Sequence, residues 1–233
     1  MRFFRRPPRE VVPGKRWPLQ QLRSDDLYDV ALDRTGRGLV IAFTGVRFGM
    51  GGIVKREFER SLAGLDMSVC YVIDRRRAWY NYATDELTAL LRRVAADHER
   101  VVTLGNSMGG FGAIYFAGLL DGCSRAIAFC PRFSVVPGVI ADNRSPRLVS
   151  AITEWRAQTA IDTFRDDVDY RIFYGDDPID RLHQQAYEEA GLATVSLEGG
   201  HNVAAWLRDR GELAPLLASL LSPSASGGRS GLG

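Results

Sequence analysis

Short runs rich in β-branched and aromatic residues alternate along the chain with longer segments whose apolar residues recur at helical spacing. The short runs predict six strands: GLVIAFT (38–44), MSVCYVID (67–74), RVVTLG (100–105), RAIAFC (125–130), YRIFYG (170–175) and ATVSLEG (193–199). Most of them are continuously apolar, which is typical of strands buried on both faces of a parallel sheet.

Four segments between these strands have helical periodicity: REFERSLAGL (56–65), ATDELTALLRRVAADH (83–98), MGGFGAIYFAGLLDG (108–122) and IDRLHQQAYEEAGL (179–192). Thr84 is followed by acidic residues, so we expect it to cap the second helix. The alternation of strands and helices predicts an α/β fold with a doubly wound, mostly parallel sheet.

Residues 135–165 interrupt this alternation with a long stretch that contains Pro, Gly, Asn and Arg and one or two short helical patterns. The stretch is too long for a simple connection, which indicates a small helical cap. The sequence therefore predicts one domain over residues 23–221, with the cap inserted at about 135–165. A basic, extended segment (1–22) precedes the domain, and a disordered tail (222–233) follows it.

Composition narrows the classes of function. The formal net charge is +2, and the first 20 residues hold six Arg or Lys and one Glu, so the basic excess lies in the N-terminal segment. We therefore expect no nucleic-acid partner. No stretch resembles a signal peptide or a transmembrane segment, which predicts a cytoplasmic protein. Cys70, Cys123 and Cys130 lie in or beside apolar runs, and we expect buried, reduced thiols.

The segment TLGNSMGGFGAIYFA (103–117) places Ser107 between two glycines, after a predicted strand and before a predicted helix. A strand that turns abruptly into a helix holds the serine in an unfavourable backbone geometry, and side chains at Gly105 and Gly109 would collide across the turn. The arrangement favours a nucleophilic serine. The alternative is a Gly-rich structural turn.

The sequence GNSMGG in this setting resembles the nucleophile elbow of the α/β-hydrolase superfamily, and the resemblance spans roughly residues 38–221. It implies a triad in the chain order serine, acid, histidine, with no metal or cofactor. His201, in the loop after the last predicted strand, matches the position of the base. We expect His98 to be a solvated helix-end residue and His183 to lie on a helix surface.

The acid should follow the strand YRIFYG, where the sequence offers GDDPID (175–180). The Asp-Pro pair makes Asp177 the first choice, with Asp180 and Asp176 as alternates, because the segment is one residue shorter than the family pattern. An acid that is not catalytic could cap the following helix.

Two backbone amides should stabilise the oxyanion of an acyl-transfer intermediate. The resemblance implies Met108 and, from the loop AFTGVRFGMGG (42–52), Val46, with Gly45 as the alternate. The glycines of this loop lack the spacing of a nucleotide-binding loop.

Loops at the same edge of the sheet carry residues that could form a basic, aromatic mouth for an anionic substrate. These residues are Arg47, Arg75, Arg76, Arg77, Trp79, Tyr80 and Arg132. The alternatives are solvated arginines and aromatic side chains that pack in the core.

The sequence thus predicts a serine esterase or thioesterase that forms an acyl-enzyme with a small-molecule or carrier-linked acyl substrate. Two other functions stay open. An acyltransferase would use the same triad, and a non-catalytic binding protein would use the fold alone.

Overall fold

A computed structural model describes residues 19–46, 49–50, 53–54 and 56–222. The strands are β1 (Gln20–Ser24), β2 (Tyr28–Asp33), β3 (Gly38–Phe43), β4 (Gly49–Met50), β5 (Ile53–Val54), β6 (Met67–Asp74), β7 (Arg100–Asn106), β8 (Cys123–Phe129), β9 (Asp169–Tyr174) and β10 (Thr194–Ser196). The helices are α1 (Glu59–Leu62), α2 (Thr84–Ala95), α3 (Met108–Leu119), α4 (Pro146–Val149), α5 (Pro178–Glu189), α6 (Val203–Asp209) and α7 (Leu213–Leu221).

Eight strands form one sheet in the order β1-β2-β6-β3-β7-β8-β9-β10, and β4 and β5 form a separate short hairpin. From β6 to β10 all neighbours in the large sheet are parallel, whereas β1 and β2 run antiparallel. The predicted α/β class with a mostly parallel sheet is confirmed. The parallel strands end at one edge, so the loops that follow β3, β6, β7, β8 and β9 share that edge.

The sequence pattern missed the hairpin of β1 and β2. Residues 20–24, QQLRS, are half-buried or exposed, because an edge strand has little to pack against. The apolar pattern that marks the inner strands is therefore absent there. Since β1 pairs with β2 from Gln20 onward, the sheet begins before the predicted boundary at residue 22. The remainder of the predicted N-terminal segment and nearly all of the predicted tail lie outside the described residues.

The four predicted helices are present as α1, α2, α3 and α5, although α1 is a single turn. The capping role expected for Thr84 is wrong. Ala83 precedes α2 in a left-handed conformation, and Thr84 is the first helical residue. The Thr84 hydroxyl donates instead to the Tyr80 carbonyl oxygen at 2.8 Å.

The segment between β8 and β9, hereafter the cap segment (residues 131–168), contains one four-residue helix, α4, and is otherwise built from turns. It thus holds one of the one or two short helices that the sequence predicted. Asn81, in the loop after β6, binds it to the sheet edge, since Oδ1 of Asn81 accepts hydrogen bonds from the amides of Arg156 and Ala157 at 2.8 Å each. The amide of Thr153 donates to the Tyr82 hydroxyl at 2.9 Å. The cap segment is thus docked on the sheet.

Two further expectations concern the cysteines and membrane-spanning helices. The three cysteines are free and buried, as predicted. Within the part of the chain that the structure describes, none of the helices combines the length and the apolar character that crossing a membrane requires.

Candidate active site

Ser107 lies at the turn between β7 and α3 in a strained backbone conformation, with φ 56° and ψ −117°. Non-glycine residues rarely adopt positive φ, and such strain persists where the surrounding structure imposes it. The amide of Ser107 donates to the Phe129 carbonyl oxygen of β8 at 2.8 Å, and the Ser107 carbonyl accepts from the amide of Phe111 at 3.1 Å. The turn is therefore held on both sides.

The two glycines around Ser107 are required by contact distances. A Cβ atom on Gly105 would lie 2.0 Å from the carbonyl oxygen of Gly109, and a Cβ on Gly109 would lie 2.1 Å from the carbonyl oxygen of Phe43. Both distances are far below van der Waals contact with backbone atoms that cannot move aside. The predicted reason for the glycines is confirmed.

His201 lies beside Ser107, as the sequence predicts, although 94 residues separate them. A short 3-10 turn, Gly200–Asn202, carries the histidine between β10 and α6. The Nε2 atom of His201 is 3.0 Å from Oγ of Ser107. That separation allows the imidazole to take the hydroxyl proton.

The acid in contact with His201 is Asp180, the alternate, and not Asp177, the first choice. Nδ1 of His201 lies 2.7 Å from Oδ2 and 3.0 Å from Oδ1 of Asp180. Asp177 instead caps α5, where its Oδ1 accepts hydrogen bonds from the amides of Ile179 and Asp180. Asp176 accepts from the amide of Gly200 at 2.8 Å and so supports the turn that carries His201. Asp180 therefore contacts His201, Asp177 caps α5, and Asp176 supports the turn that carries His201.

Asp180 is almost fully buried, with 1% of its side chain exposed, and is surrounded by cations and donors. Burial opposes its ionisation, but the hydrogen bond from His201 and the charge of Arg144 lower the pKa of Asp180 below its ordinary value. Nη1 of Arg144 lies 2.7 Å from Oδ1 of Asp180. The carboxylate is thus kept ionised against an imidazole that can become charged.

Arg144 in turn belongs to a buried group of charges formed largely by the cap segment. Its Nη2 lies 2.8 Å from Oδ2 of Asp142, which is 3% exposed. The Nε2 atom of His183 donates to the same carboxylate at 3.0 Å. Arg132 adds an ion pair at 3.1 Å, without good hydrogen-bond alignment. The prediction that His183 is a surface residue is wrong, since it is fully buried.

The ring nitrogens of His183 have distinct partners that define its protonation. Nδ1 accepts a hydrogen bond from the amide of Phe133 at 3.1 Å, so the proton of the neutral ring lies on Nε2, facing Asp142. A second proton on Nδ1 would point at that amide hydrogen. Burial lowers the pKa of His183, although the hydrogen bond to Asp142 acts in the opposite direction.

The loop after β3 lies against the elbow, as an oxyanion hole requires. The Gly45 amide already donates to Oε2 of Glu57 at 3.2 Å, and the Tyr80 hydroxyl donates to the Thr44 carbonyl at 2.8 Å. These contacts orient the loop and leave Gly45 engaged, which favours Val46 over Gly45 as a donor. Met108 begins α3, and the first amides of an α-helix have no partner within the helix.

The residues expected to form a basic, aromatic mouth are mostly committed to other contacts. Arg75 pairs with Asp29 at 2.7 Å, and Arg76 pairs with Asp26. The Arg132 guanidinium is buried, 5.2 Å from the centre of the Trp79 ring. Trp79 and Tyr80 are themselves core residues, 0% and 1% exposed.

Trp79, Tyr80 and Arg132 are therefore too buried to line a mouth, whereas Arg75 and Arg76 are exposed beside their acidic partners. Arg77 has left-handed backbone geometry in the same loop. Arg47 lies outside the described residues.

Two other features bear on the chemistry of the protein, a cluster of possible metal ligands at the site and His98. Cys130, Asp180 and His201 present possible metal-binding atoms within 4.8 Å of one another. The Arg144 cation against Asp180 opposes a metal ion there. His98, at the other end of the sheet, is half-buried, and its Nδ1 lies 2.9 Å from the Val94 carbonyl oxygen. It has no contact with Ser107.

Sequence reasoning missed Asp142, His183 and Glu57. Nothing near Asp142 in the sequence ADNRSP distinguishes it from a turn residue, and its partner His183 is 41 positions away. Glu57 lies in a segment with helical periodicity, in which an acidic residue is expected to face the solvent. These pairs become visible when the fold brings distant segments together.

Comparison with known proteins agrees with this architecture. Residues 11–225 match the family model described as alpha/beta hydrolase family. None of the curated proteins gives a significant match.

Several solved structures are similar in fold at low sequence identity. The capsule O-acetyltransferase of Neisseria meningitidis serogroup A is 13% identical, with a TM-score of 0.60 over 89% of this chain and 98% of that chain. A fluorophosphonate-binding serine hydrolase of Staphylococcus aureus is 14% identical, with a TM-score of 0.57 over 88% and 99%. The S-formylglutathione hydrolase of Agrobacterium tumefaciens is 18% identical, with a TM-score of 0.55 over 88% and 95%.

At these identities the structural similarity establishes the fold alone, whereas the family model extends over most of the sequence. The sheet order, the strained serine after β7 and the matched family model lead to one conclusion: this chain belongs to the alpha/beta hydrolase family.

Proposed function

We propose that the protein is a serine hydrolase that cleaves carboxylic esters or thioesters through an acyl-enzyme. The observation that carries the proposal is the continuous line of contacts from Ser107 Oγ to His201 Nε2 and from His201 Nδ1 to Asp180. A serine hydroxyl is a weak nucleophile at neutral pH and needs a base that a carboxylate orients. Ser107, His201 and Asp180 have the geometry for these three roles.

In the first half-reaction Oγ of Ser107 attacks the carbonyl carbon, and its proton passes to Nε2 of His201. The tetrahedral intermediate collapses, the bond to the leaving group breaks, and His201 returns the proton to the departing alcohol or thiol. In the second half-reaction water attacks the acyl-enzyme with His201 again as base, releasing the acid and restoring Ser107. Asp180 stays ionised and stabilises the imidazolium at each stage.

The amides of Met108 and Val46 are the donors in this proposal for the negative oxygen of the intermediate. Met108 is placed by the start of α3, directly after the nucleophile. Val46 follows Gly45, whose amide is bonded to Glu57. Donors aimed at the developing charge supply a large part of catalysis in acyl transfer.

The proposal does not extend to an anionic substrate. The loop arginines on which that prediction rested include Arg75, Arg76 and Arg132, which lie in ion pairs with carboxylates of the protein, and Arg47, which lies outside the described residues. An ester with no negative group is therefore a suitable first substrate. Small acyl esters and acyl-CoA thioesters can be compared to distinguish the two leaving-group classes.

The decisive experiment uses a fluorophosphonate probe, which reacts with an activated serine, on the wild-type protein and on Ser107→Ala. We expect labelling of the wild type, none of the variant, and parallel loss of p-nitrophenyl acetate hydrolysis. A folded wild-type protein that neither labels nor hydrolyses a panel of esters and thioesters would refute the proposal, and would favour a binding role for the fold.

Acyl transfer is a second candidate because it uses the same triad, and the structurally similar capsule O-acetyltransferase has the same fold. Product analysis separates the two functions. Hydrolysis releases free acid at a rate that added alcohols or amines do not change. An acyltransferase would give mainly the acylated acceptor.

A further inference from the structure

Arg144 connects the cap segment to the acid and the base of the site. Its Nη1 lies 2.7 Å from Oδ1 of Asp180 and 3.2 Å from Nδ1 of His201, while Nη2 lies 2.8 Å from Oδ2 of Asp142. One guanidinium therefore bridges two buried carboxylates. Bridging of this kind uses the planar, forked donors of arginine, which lysine lacks.

The position of Arg144 is imposed from both sides. Its own amide donates to Oδ1 of Asp142 at 2.9 Å, which closes a tight turn at residues 142–144. Asp142 is held in place by His183 of α5 and by Arg132. Only 21% of the Arg144 side chain is exposed. The guanidinium is therefore presented to Asp180 in one orientation.

Docking of the whole cap segment supports the same arrangement. Asn81 accepts two amide hydrogen bonds from it, and Ser134 Oγ donates to the Gln158 carbonyl oxygen at 2.6 Å within it. The segment that supplies Arg144 is thus bound to the sheet on one side and to α5 on the other. A merely solvated arginine would have none of these supports.

We propose that Arg144 is the positioning residue of the catalytic acid, through which the docked cap segment completes the active site; this inference rests on the proposed serine hydrolase function. Arg144 holds one oxygen of Asp180, so that the carboxylate keeps the orientation that His201 requires. Catalysis loses rate steeply when a reacting group is held loosely.

The charge of Arg144 has a second consequence for the pH dependence of the site. The charge of Arg144 is one of the causes that lower the pKa of Asp180, so the acid stays ionised at lower pH than it would without the arginine. The other charged or titratable groups around Asp180 and His201 are Asp142, Arg132, Cys130, Asp176, Asp177 and His183. Among the described arginines, Arg144 is the one in an ion pair with Asp180.

The test compares Arg144→Met, Arg144→Gln and Arg144→Lys with the wild type. Arg165→Met is the matched control, because it removes an equal charge, from a partly exposed arginine of the same segment that pairs with Asp167 and donates to the Leu120 carbonyl oxygen, away from Asp180. The readouts are the pH profile of fluorophosphonate labelling, kcat and KM for p-nitrophenyl acetate, and the NMR titration of the Asp180 carboxyl group. The Asp180→Asn variant, which lacks that carboxyl group, assigns its signal.

For Arg144→Met we expect the acidic limb of labelling and the midpoint of the Asp180 titration to move to higher pH, because Asp180 loses one of the charges that lower its pKa. We expect kcat to fall about ten-fold with KM little changed, because Asp180 is held less firmly. Arg144→Lys keeps the positive charge, so we expect the acidic limb of labelling to match that of the wild type. Its kcat should lie between those of the wild type and Arg144→Met. Arg144→Gln keeps donors without the charge, so it should show the upward shift with a smaller loss of kcat. Arg165→Met should match the wild type.

Unchanged pH limbs in both the Met and Gln variants of an active protein would overturn the inference. Arg144→Gln carries the test if the Met variant does not fold. The titration does not depend on activity, so it separates the two proposals. A wild type that fails to label, with an Asp180 midpoint that still shifts in the variants, would refute the hydrolase function and leave the positioning contact supported.

Discussion

Asp177 holds the start of the helix that carries Asp180: its Oδ1 accepts the hydrogen bond of the Asp180 amide at 3.0 Å. The two carboxylates therefore have linked but separate tasks. Asp177 caps α5, and Asp180, in the first turn, contacts His201.

Asp180→Asn should lower kcat by about 10⁴-fold, because the amide cannot stabilise the imidazolium and favours the wrong tautomer. Asp177→Asn is a matched control, since asparagine caps helices nearly as well as aspartate. We expect that variant to stay within a few-fold of the wild type. The assignment fails if the Asp177 variant loses more activity than the Asp180 variant in steady-state assays on p-nitrophenyl acetate.

The strain at Ser107 predicts opposite effects of one substitution on activity and stability. Ser107→Gly removes the nucleophile and also relieves the positive φ, so we expect an inactive protein whose free energy of unfolding rises by about 1 kcal/mol. Urea denaturation measures the change. Ser107→Ala, which keeps Cβ and so the strain, provides the comparison, and equal stability of the two variants would contradict the strain argument.

The elbow glycines predict a graded loss of stability. Gly105→Ala forces Cβ to 2.0 Å from the Gly109 carbonyl oxygen, and we expect a loss of roughly 3 kcal/mol or more in the free energy of unfolding. Gly110→Ala is the milder control, because its nearest contact would be 3.1 Å, to Cβ of Pro131. Thermal unfolding should rank Gly105→Ala clearly below Gly110→Ala, and the reverse order would count against the described turn.

The hydrogen bond between Glu57 and the Gly45 amide allows a test of the oxyanion loop. Glu57→Ala removes the acceptor of the Gly45 amide, and we expect kcat to fall about ten-fold as the neighbouring Val46 amide loses its orientation. Glu57→Gln keeps an oxygen acceptor and should stay within about three-fold of the wild type. Comparable losses in both variants would mean that the negative charge of Glu57, and not its hydrogen bond, matters.

The buried His183 predicts a pH dependence of stability. Its pKa is lowered in the folded protein, mainly by burial, so below pH 6.5 the unfolded chain takes up a proton that the folded protein does not. The stabilising contribution is therefore complete above about pH 6.5 and declines as pH falls, by at most about 1.4 kcal/mol per pH unit.

His183→Asn should be less stable at pH 7, because it loses the donor to Asp142, but its free energy of unfolding should decline less between pH 6.5 and 5. Denaturant unfolding at several pH values measures both effects. His98→Asn is the comparison, because burial also lowers the pKa of His98. An unaltered slope in His183→Asn would mean that the neutral form of His183 is not what the fold requires.

Local sequence patterns predicted most of the fold. The inner strands β3, β6, β7 and β8 are buried on both faces, so their apolar runs identify them without tertiary information. The elbow at Ser107 was predictable for a similar reason, since the strand, the two glycines and the helix are consecutive in the chain. The edge strand β1 and its neighbour β2 were missed, because β1 is partly exposed and β2 carries Asp29 and Asp33 among its buried residues.

The amino-acid sequence by itself thus determined the inner strands, the elbow and the loop that carries His201, because each is a pattern of residues that are neighbours in the chain, and the family resemblance implied that this histidine is the base. Tertiary structure decided which carboxylate lies against His201, that Arg144 links this carboxylate to Asp142, and that Trp79 and Arg132 are buried. Asp177 is the N-cap of α5 and Asp180 lies in its first turn, and only the packing of that helix against the loop after β10 brings Asp180 to the imidazole. Distances between side chains from separate segments are properties of the folded chain, and no local pattern encodes them.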